Sequence, residues 1–202
     1  MKYADIIDAA LTYSDRKDAD IVNSMDMFLR IVESRINRNL RIMQMSTRSV
    51  VLTSQDQHYF GLPNLFAGIR DIEIRDKDAV KGATCVYASP EQMNNKVDDA
   101  GKIYYSIVAN QIQIYPPQAD KVLEIIYYQR LEPLTSNKDT NWLSDRYPDA
   151  YIFALLVEMA AYVKSPDAIQ IWEQRLQATI SEIEKEDSTD RWSGTSMTIK
   201  VG

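Results

Sequence analysis

The segment from Asp149 to Val163 most limits what this chain can fold into. Its residues are apolar on every side of a helix, and after Asp149 the only charge within it is Glu158. A helix that is apolar all round must be buried all round. About fifteen residues are too few to cross a bilayer, which needs roughly 20. The sequence therefore predicts a core helix inside a protein domain.

Two further helices are predicted around this core helix. From about Asp20 to Met43 the apolar residues recur every three or four positions, which indicates one long helix with a buried stripe. The remaining face of that helix carries its charges, including Glu33. Pro166 opens a last helix that is predicted to reach about Asp187, and a short helix is predicted over Tyr3 to Tyr13.

Between the long helix and the core helix, the pattern changes to the alternation that is typical of strands. Turn residues divide this part into strands that are predicted to pair as neighbouring hairpins. The predicted elements are a hairpin of 49–53 with 58–62, strands at 67–75 and 83–87, a short helix at 89–97, a hairpin of 103–108 with 111–115, and a strand at 121–129. The last strand is apolar on both faces, which predicts a central position in its sheet.

This order predicts an α+β fold. We expect a bundle of about four helices with an antiparallel β lobe inserted between the second and third long helices. The predicted domains are a helical domain of residues 1–44 and 145–188, a β lobe of residues 45–130 and a C-terminal tail of residues 189–202.

Composition argues against the common enzyme classes. The chain has one histidine, His58, and one cysteine, Cys85, so a zinc site of the usual type cannot be assembled. Its six glycines form neither a phosphate-binding loop nor a dinucleotide fingerprint. We expect no enzyme activity, no cofactor and no metal. A lone cysteine and the lack of a signal sequence or spanning segment predict a protein that folds in a cytoplasm, away from membranes.

Glu158 is the one charge in the core helix, and it allows two interpretations. An unpaired buried carboxylate is costly, so we expect an ion pair with an arginine of the long helix, Arg35 first and Arg38 second. The alternative is a general acid or base whose pKa is raised by burial.

The arginines of the long helix also allow a DNA-binding function through phosphate contacts. The net charge of −6 favours instead a face that is solvated or that contacts another subunit. In the tail, the alternation of Met197, Ile199 and Val201 with polar residues predicts an added edge strand at an interface, with Trp192 just before it.

Several segments in order resemble the head-to-tail adaptor proteins of tailed bacteriophages. No single one of them is catalytic, and the resemblance comes from their order and spacing. The segments are 33–41 (ESRINRNLR) at the end of the long helix, 127–130 (YYQR) followed by Pro133 and Leu134, the joint at Asn141, Trp142 and Leu143, 147–151 (YPDAY), 154–158 (ALLVE), and Trp172 with Arg175.

This resemblance implies a structural virion protein that is assembled in the host bacterial cytoplasm. Such adaptors form rings, typically twelvefold, that dock under the portal protein and connect the capsid to the tail or nozzle protein. Double-stranded DNA would pass through the lumen without sequence readout, and no membrane is involved. The resemblance assigns no catalytic residues, and the joint residues Asn141, Trp142 and Tyr151 are its site candidates.

Overall fold

A computed structural model of the chain describes residues 1–94 and 101–192. The helices are α1 (Tyr3–Ser14), α2 (Ala19–Asn39), α3 (Pro90–Asn94), α4 (Trp142–Arg146), α5 (Pro148–Tyr162) and α6 (Pro166–Trp192). The strands are β1 (Ser46–Leu52), β2 (Tyr59–Gly61), β3 (Phe66–Asp76), β4 (Ala83–Thr84), β5 (Val86–Tyr87), β6 (Tyr104–Val108), β7 (Gln111–Tyr115) and β8 (Lys121–Gln129).

The chain divides into two compact units. The helical unit contains Met1–Gln44 together with the described residues from Leu131 onward, and the β unit contains the described residues of Met45–Arg130. Each unit has its own buried residues.

In the helical unit, α5 is the core element that the sequence predicts. Nine of its fifteen residues are buried, and it packs against α1, α2 and α6. Pro148 occupies the first turn, where its missing N–H breaks no helical hydrogen bond. The helix stops after Tyr162, and Lys164 has a left-handed backbone. Because α4 also contacts it, α5 has four helices around it, and most of its apolar residues are buried.

The β unit contains two sheets of four strands each. The first sheet has the order β1-β8-β3-β4, and the second has the order β2-β7-β6-β5. Residues from both sheets share one hydrophobic cluster, which includes Ile72, Leu123 and Ile125 from the first sheet and Ile112 and Ile114 from the second. Strand β8 lies between β1 and β3, so its predicted central position is confirmed.

The α+β class is confirmed, but the predicted arrangement is not. The described residues form six helices and two four-stranded sheets, rather than about four helices and one antiparallel lobe. Helix α4 was not expected at all. The pairing of β5 with β6 is parallel, so the β unit is not wholly antiparallel.

The predicted hairpin of residues 49–53 with 58–62 is wrong. β1 pairs with β8 and β2 pairs with β7, so the two strands belong to different sheets. The cause is Thr53, which is buried and exchanges hydrogen bonds with Lys121 through both its backbone and its hydroxyl. These bonds continue the ladder with β8 beyond Leu52 and keep the end of β1 in the first sheet.

The predicted strand at 83–87 is divided in a similar way. Its first two residues pair with β3 and its last two pair with β6, because the side chain of Cys85 between them is buried in the shared cluster. Two helix ends also differ from the prediction, since α2 ends at Asn39 and α6 continues to Trp192.

The close approach at Gly82 generates a test of this fold. A Cβ atom at Gly82 would lie 2.5 Å from the carbonyl oxygen of Ile74 on β3. We expect Gly82→Ala to lower the free energy of unfolding by about 1 to 3 kcal/mol, since the backbone must move to relieve the overlap. Urea denaturation followed by circular dichroism measures this change.

Gly68→Ala is the matched control, because a Cβ atom at Gly68 meets no atom within 4 Å. If the two alanine variants unfold at the same urea concentration, the close approach of residue 82 to β3 is wrong.

Candidate functional site

One buried carboxylate of the helical unit is Glu33 on α2. Only 6% of this residue is exposed. Its Oε1 atom accepts a hydrogen bond of 2.7 Å from the backbone N–H of Leu134 and one of 3.3 Å from the hydroxyl of Tyr151 on α5. Glu33 therefore connects α2 to α5 and to the segment that follows the β unit. The prediction that it lies on the charged, exposed face of the helix is wrong.

Asn141 extends this network. Its side-chain N–H groups donate to the hydroxyl of Tyr151 and to the carbonyl of Glu132, both at 2.8 Å. Its side-chain oxygen accepts from the backbone N–H of Ser144, and the Ser144 hydroxyl accepts from the backbone N–H of Asn141. This reciprocal arrangement is a capping box that begins α4. Every polar group of Asn141 thus has a partner, although the residue is buried.

The structure therefore brings together Asn141 and Tyr151, two of the three joint residues proposed from the sequence. Trp142, the third, is the first residue of α4 and is half-buried. The hydrogen bonds of the network run in one direction. The Asn141 amide donates to the Tyr151 hydroxyl, which in turn donates to the Glu33 carboxylate. Burial raises the pKa of both Glu33 and Tyr151. For Glu33, the bonds from Leu134 and Tyr151 oppose that rise without cancelling it.

Side chains also fix the two places where the chain passes between the units. On the way out, the backbone N–H of Met43 donates to the buried carboxylate of Asp187 at 2.6 Å. On the way back, the backbone N–H of Leu131 donates to the side-chain oxygen of Asn37 at 2.7 Å. Both acceptors lie on long helices. At each crossing, the chain is therefore hydrogen-bonded to a helix of the helical unit.

The predicted ion pair of Glu158 with Arg35 or Arg38 is not formed. Arg35 pairs with Glu173 on α6, and the guanidinium of Arg38 donates to the hydroxyl of Ser34 at 2.8 Å. Glu158 is only half-buried, so its carboxylate does not need an ion pair as a fully buried one would. The carboxylate that is buried between α2 and α5 is that of Glu33, and not that of Glu158.

The outward face of α2 carries a stripe of side chains that we call the α2 stripe. It combines exposed apolar residues with arginines and consists of Asn23, Met27, Arg30, Ile31, Ser34 and Arg38. Met27 is 50% exposed and Ile31 is 41% exposed. Within the described part of the chain, neither Arg30 nor Arg38 forms an ion pair with a carboxylate. Asp26 lines the same groove, and the charge of Arg30 lowers the pKa of Glu33. The stripe thus combines exposed apolar area with two arginines and a neighbouring carboxylate.

An aromatic cluster joins α6 to α5 and α1. The ring of Trp172 stacks on Phe153 with 6.1 Å between centroids and meets Tyr13 edge-on at 6.4 Å. The guanidinium of Arg175 lies 5.3 Å from the Trp172 ring centroid. These contacts explain why the tryptophan and the arginine occur three residues apart on one helix. Their role here is packing.

The residues with catalytic potential lie apart from these features. His58 is half-buried beside β2, and Cys85 is buried in the β unit, where burial raises the pKa of its thiol to about 12. No three His, Cys, Asp or Glu side chains of residues 1–94 and 101–192 gather in a group that would hold a metal ion. In the same ranges, no helix has the length and apolar character to span a membrane.

The interface candidates in the tail fall mostly outside the described residues. This applies to Met197, Ile199 and Val201, whose predicted strand stays a prediction. Trp192 is the last residue of α6 and is 70% exposed.

Two comparisons with known proteins bear on these features. A family model described as SU10 adaptor protein matches residues 1–199, which is nearly the whole chain. None of the curated proteins matches the chain.

The raised pKa of Glu33 generates a test of the buried network. Because the folded state favours the protonated carboxyl, the contribution of Glu33 to stability is most favourable below its ordinary pKa of 4.5 and is lost as pH rises through the raised pKa. We expect the stability of Glu33→Gln not to fall in this way as pH rises, since an amide oxygen accepts both hydrogen bonds without a charge. Urea denaturation of both proteins across acidic and neutral pH measures the difference.

Glu33→Ala provides the contrast, because it leaves the Leu134 N–H and the Tyr151 hydroxyl without an acceptor. We expect it to lose about 1 to 3 kcal/mol for each unsatisfied group. If Glu33→Gln shows the same pH dependence as the wild type, Glu33 does not carry the raised pKa.

Proposed function

Because the chain belongs to the SU10 adaptor protein family, a family of phage head-to-tail adaptors, we propose that it forms a ring under the portal protein. In this proposal the ring has about twelve copies and connects the capsid to the tail or nozzle protein. Double-stranded DNA passes through its lumen during packaging and ejection. The observation that carries the proposal is the family match over residues 1–199.

The charges of the chain support a channel through which DNA passes without binding tightly to the wall. The net charge is −6, and affinity for phosphates requires available lysine and arginine side chains. Many of these side chains are instead engaged by carboxylates of the same chain. Such pairs are Lys2 with Asp139, Arg35 with Glu173, Arg48 and Arg75 with Glu124, Lys121 with Asp76, and Arg146 with Glu186.

The network around Glu33 supports a structural rather than a catalytic protein. Its carboxylate, hydroxyl and amide groups are hydrogen-bonded within the chain, and they connect α2 to α5 and to the backbone of Leu134. A scaffold that transmits load between larger assemblies needs such fixed connections. We propose that residues 1–44 and 145–188 form the ring wall and that residues 45–130 face the tail.

The alternative function is DNA binding through the arginines of α2. The exposure of Arg30 and Arg38 favours it, whereas Met27 and Ile31 between them offer nothing to phosphates. Salt-dependent binding of duplex DNA by the purified protein would support this alternative. A DNA affinity no greater than that of other acidic proteins would favour the adaptor.

Ring assembly is expected to depend on the portal. Copies that each carry a charge of −6 repel one another, and a ring-shaped template raises their local concentration. We therefore expect the isolated protein to be monomeric or weakly associated at micromolar concentration and to form rings when portal is added. Light scattering and electron microscopy measure both states. A stable ring of the isolated protein at moderate salt would contradict this expectation.

The tail generates a second test. We propose that the alternating residues 197–201 add as a strand to a neighbouring copy or to the portal. Removal of residues 193–202 should leave the melting temperature of the monomer unchanged and weaken its incorporation into particles. Calorimetry and quantitative gels of purified particles measure the two effects. Full incorporation of the truncated protein would show that the tail has no role in assembly.

A further inference from the structure

Strand β1 is the one long strand at the edge of a sheet in the described part of the chain. It ends the order β1-β8-β3-β4, and among the described strands only β8 pairs with it. The other edge strands, β2, β4 and β5, have two or three residues, whereas β1 has seven. Short edge strands, prolines, lysines and bulges keep sheet edges from pairing with other chains. β1 has none of these, and its register with β8 is unbroken.

The pairing with β8 shows which backbone groups of β1 point to the open edge. The N–H of Thr53 donates to the carbonyl of Lys121 at 2.9 Å, one position beyond the last pair of β1 with β8. In an antiparallel ladder, alternate residues exchange hydrogen bonds with the neighbouring strand. Counting back from Thr53, the odd-numbered residues of β1 bond to β8. The N–H and C=O groups of Arg48, Val50 and Leu52 therefore point to the open edge, where an added strand would bond to them.

The same positions carry exposed apolar side chains. Val50 is 48% exposed and Leu52 is 62% exposed. They lie on the face opposite to that of Val51, which packs against the shared hydrophobic cluster. The one charged residue of β1, Arg48, is paired with Glu124 of β8. The edge thus offers backbone donors and acceptors together with apolar side chains.

The sequence of the tail matches this edge. Its residues 197–201 alternate apolar with polar side chains, and three of the five are β-branched, as is typical of strands. If the tail runs antiparallel to β1 with Ile199 opposite Val50, Met197 lies opposite Leu52, and all five tail residues have a partner in β1. The apolar side chains of the tail then cover the exposed apolar side chains of the edge, which is favourable for both.

A second copy is favoured over the same chain as the donor of this strand. The tail of the same chain follows α6, in which Asp187 is hydrogen-bonded to Met43 shortly before β1. That tail would therefore meet β1 first at Ser46 and run parallel to it. A tail from a second copy is free to run antiparallel, and parallel pairing is the less stable of the two.

We propose that residues 197–201 of one copy add as an antiparallel strand to β1 of a second copy, with Ile199 opposite Val50. This inference rests on the proposed function, in which the tail joins a neighbouring copy or the portal, and it names the edge that accepts the tail. The contact is heterologous, because each copy gives its tail and receives another at β1. It can therefore link the copies of a ring in series.

Disulfide trapping tests this pairing even where association is weak. Residues that face each other in a hydrogen-bonded antiparallel pair have Cα atoms about 5.5 Å apart, which suits a disulfide. Val50→Cys protein is mixed with Ile199→Cys protein and oxidised mildly, both alone at high concentration and with portal. The products are separated on a nonreducing denaturing gel. Native Cys85 is buried, so wild-type protein should give no product.

The expected result is a heterodimer at a yield several-fold above that of either homodimer. Thr198→Cys in place of Ile199→Cys is the matched control, because the two side chains lie on opposite faces of an added strand. It should give several-fold less heterodimer, and an equal yield would contradict the strand. A dominant homodimer of Val50→Cys would show that β1 pairs with β1 of a second copy, and the proposal would then be wrong.

A chain that carries both Val50→Cys and Ile199→Cys identifies the donor of the strand. Tails that add to second copies should give a ladder of dimers, trimers and larger products. A monomer that migrates faster than its reduced form would show that the tail adds to β1 of its own chain. That outcome would overturn the proposal.

Leu52→Pro tests the backbone ladder. Proline removes the N–H that Leu52 presents to the open edge and leaves the bonds between β1 and β8 in place. In the Val50→Cys background it should lower the yield of heterodimer several-fold, whereas Leu52→Ala, which keeps the N–H, should lower it less. Equal yields from these two variants would contradict the ladder. Circular dichroism of each variant shows that its fold is retained, and the disulfide test does not depend on the proline variant.

The same variants separate this inference from the proposed function. If the protein assembles on portal while Val50→Cys and Ile199→Cys give no heterodimer, the adaptor function stands and the pairing of the tail with β1 is wrong. If the heterodimer forms as described but the protein never associates with portal, the pairing stands and the proposed function fails.

Discussion

The hydrogen bonds to the buried carboxylate of Glu33 are the interactions on which the helical unit most depends. Burial of a charge is unfavourable unless hydrogen bonds compensate for the lost hydration. Here the backbone of Leu134 and the hydroxyl of Tyr151 supply those bonds, and Asn141 orients the hydroxyl by donating to it. Together these residues tie α2, α5 and the segment that returns from the β unit. A buried polar network of this kind favours one arrangement of the helices, because any other arrangement leaves its groups unsatisfied.

The sequence predicted the elements in which the pattern of apolar residues matches the pattern of burial in the fold. Helix α5 was predicted because it is apolar on all sides, and four helices surround it in the structure. Strand β8 was predicted as central because both of its faces are apolar. In both cases the pattern of burial depends on which residues are apolar, and the sequence contains that information directly.

The missed features depend on contacts between residues far apart in the chain. Nothing local shows that Thr53 bonds to Lys121 and holds β1 in the first sheet. Glu33 was assigned to the exposed face because it is charged, although it follows Leu29 by four residues and precedes Ile36 by three, which are the spacings of the buried stripe. That spacing could have identified it. The choice between Glu33 and Glu158 required knowing which carboxylate faces a hydroxyl and a backbone N–H.

The two held crossings have a mechanical consequence. Asp187 holds the chain at Met43, and Asn37 holds it at Leu131. A pulling force on the β unit would reach the helical unit through these two covalent connections. The force would pass into α6 and α2 near those bonds before it could peel either helix from α5. Tension on the β unit would thus be shared between two long helices.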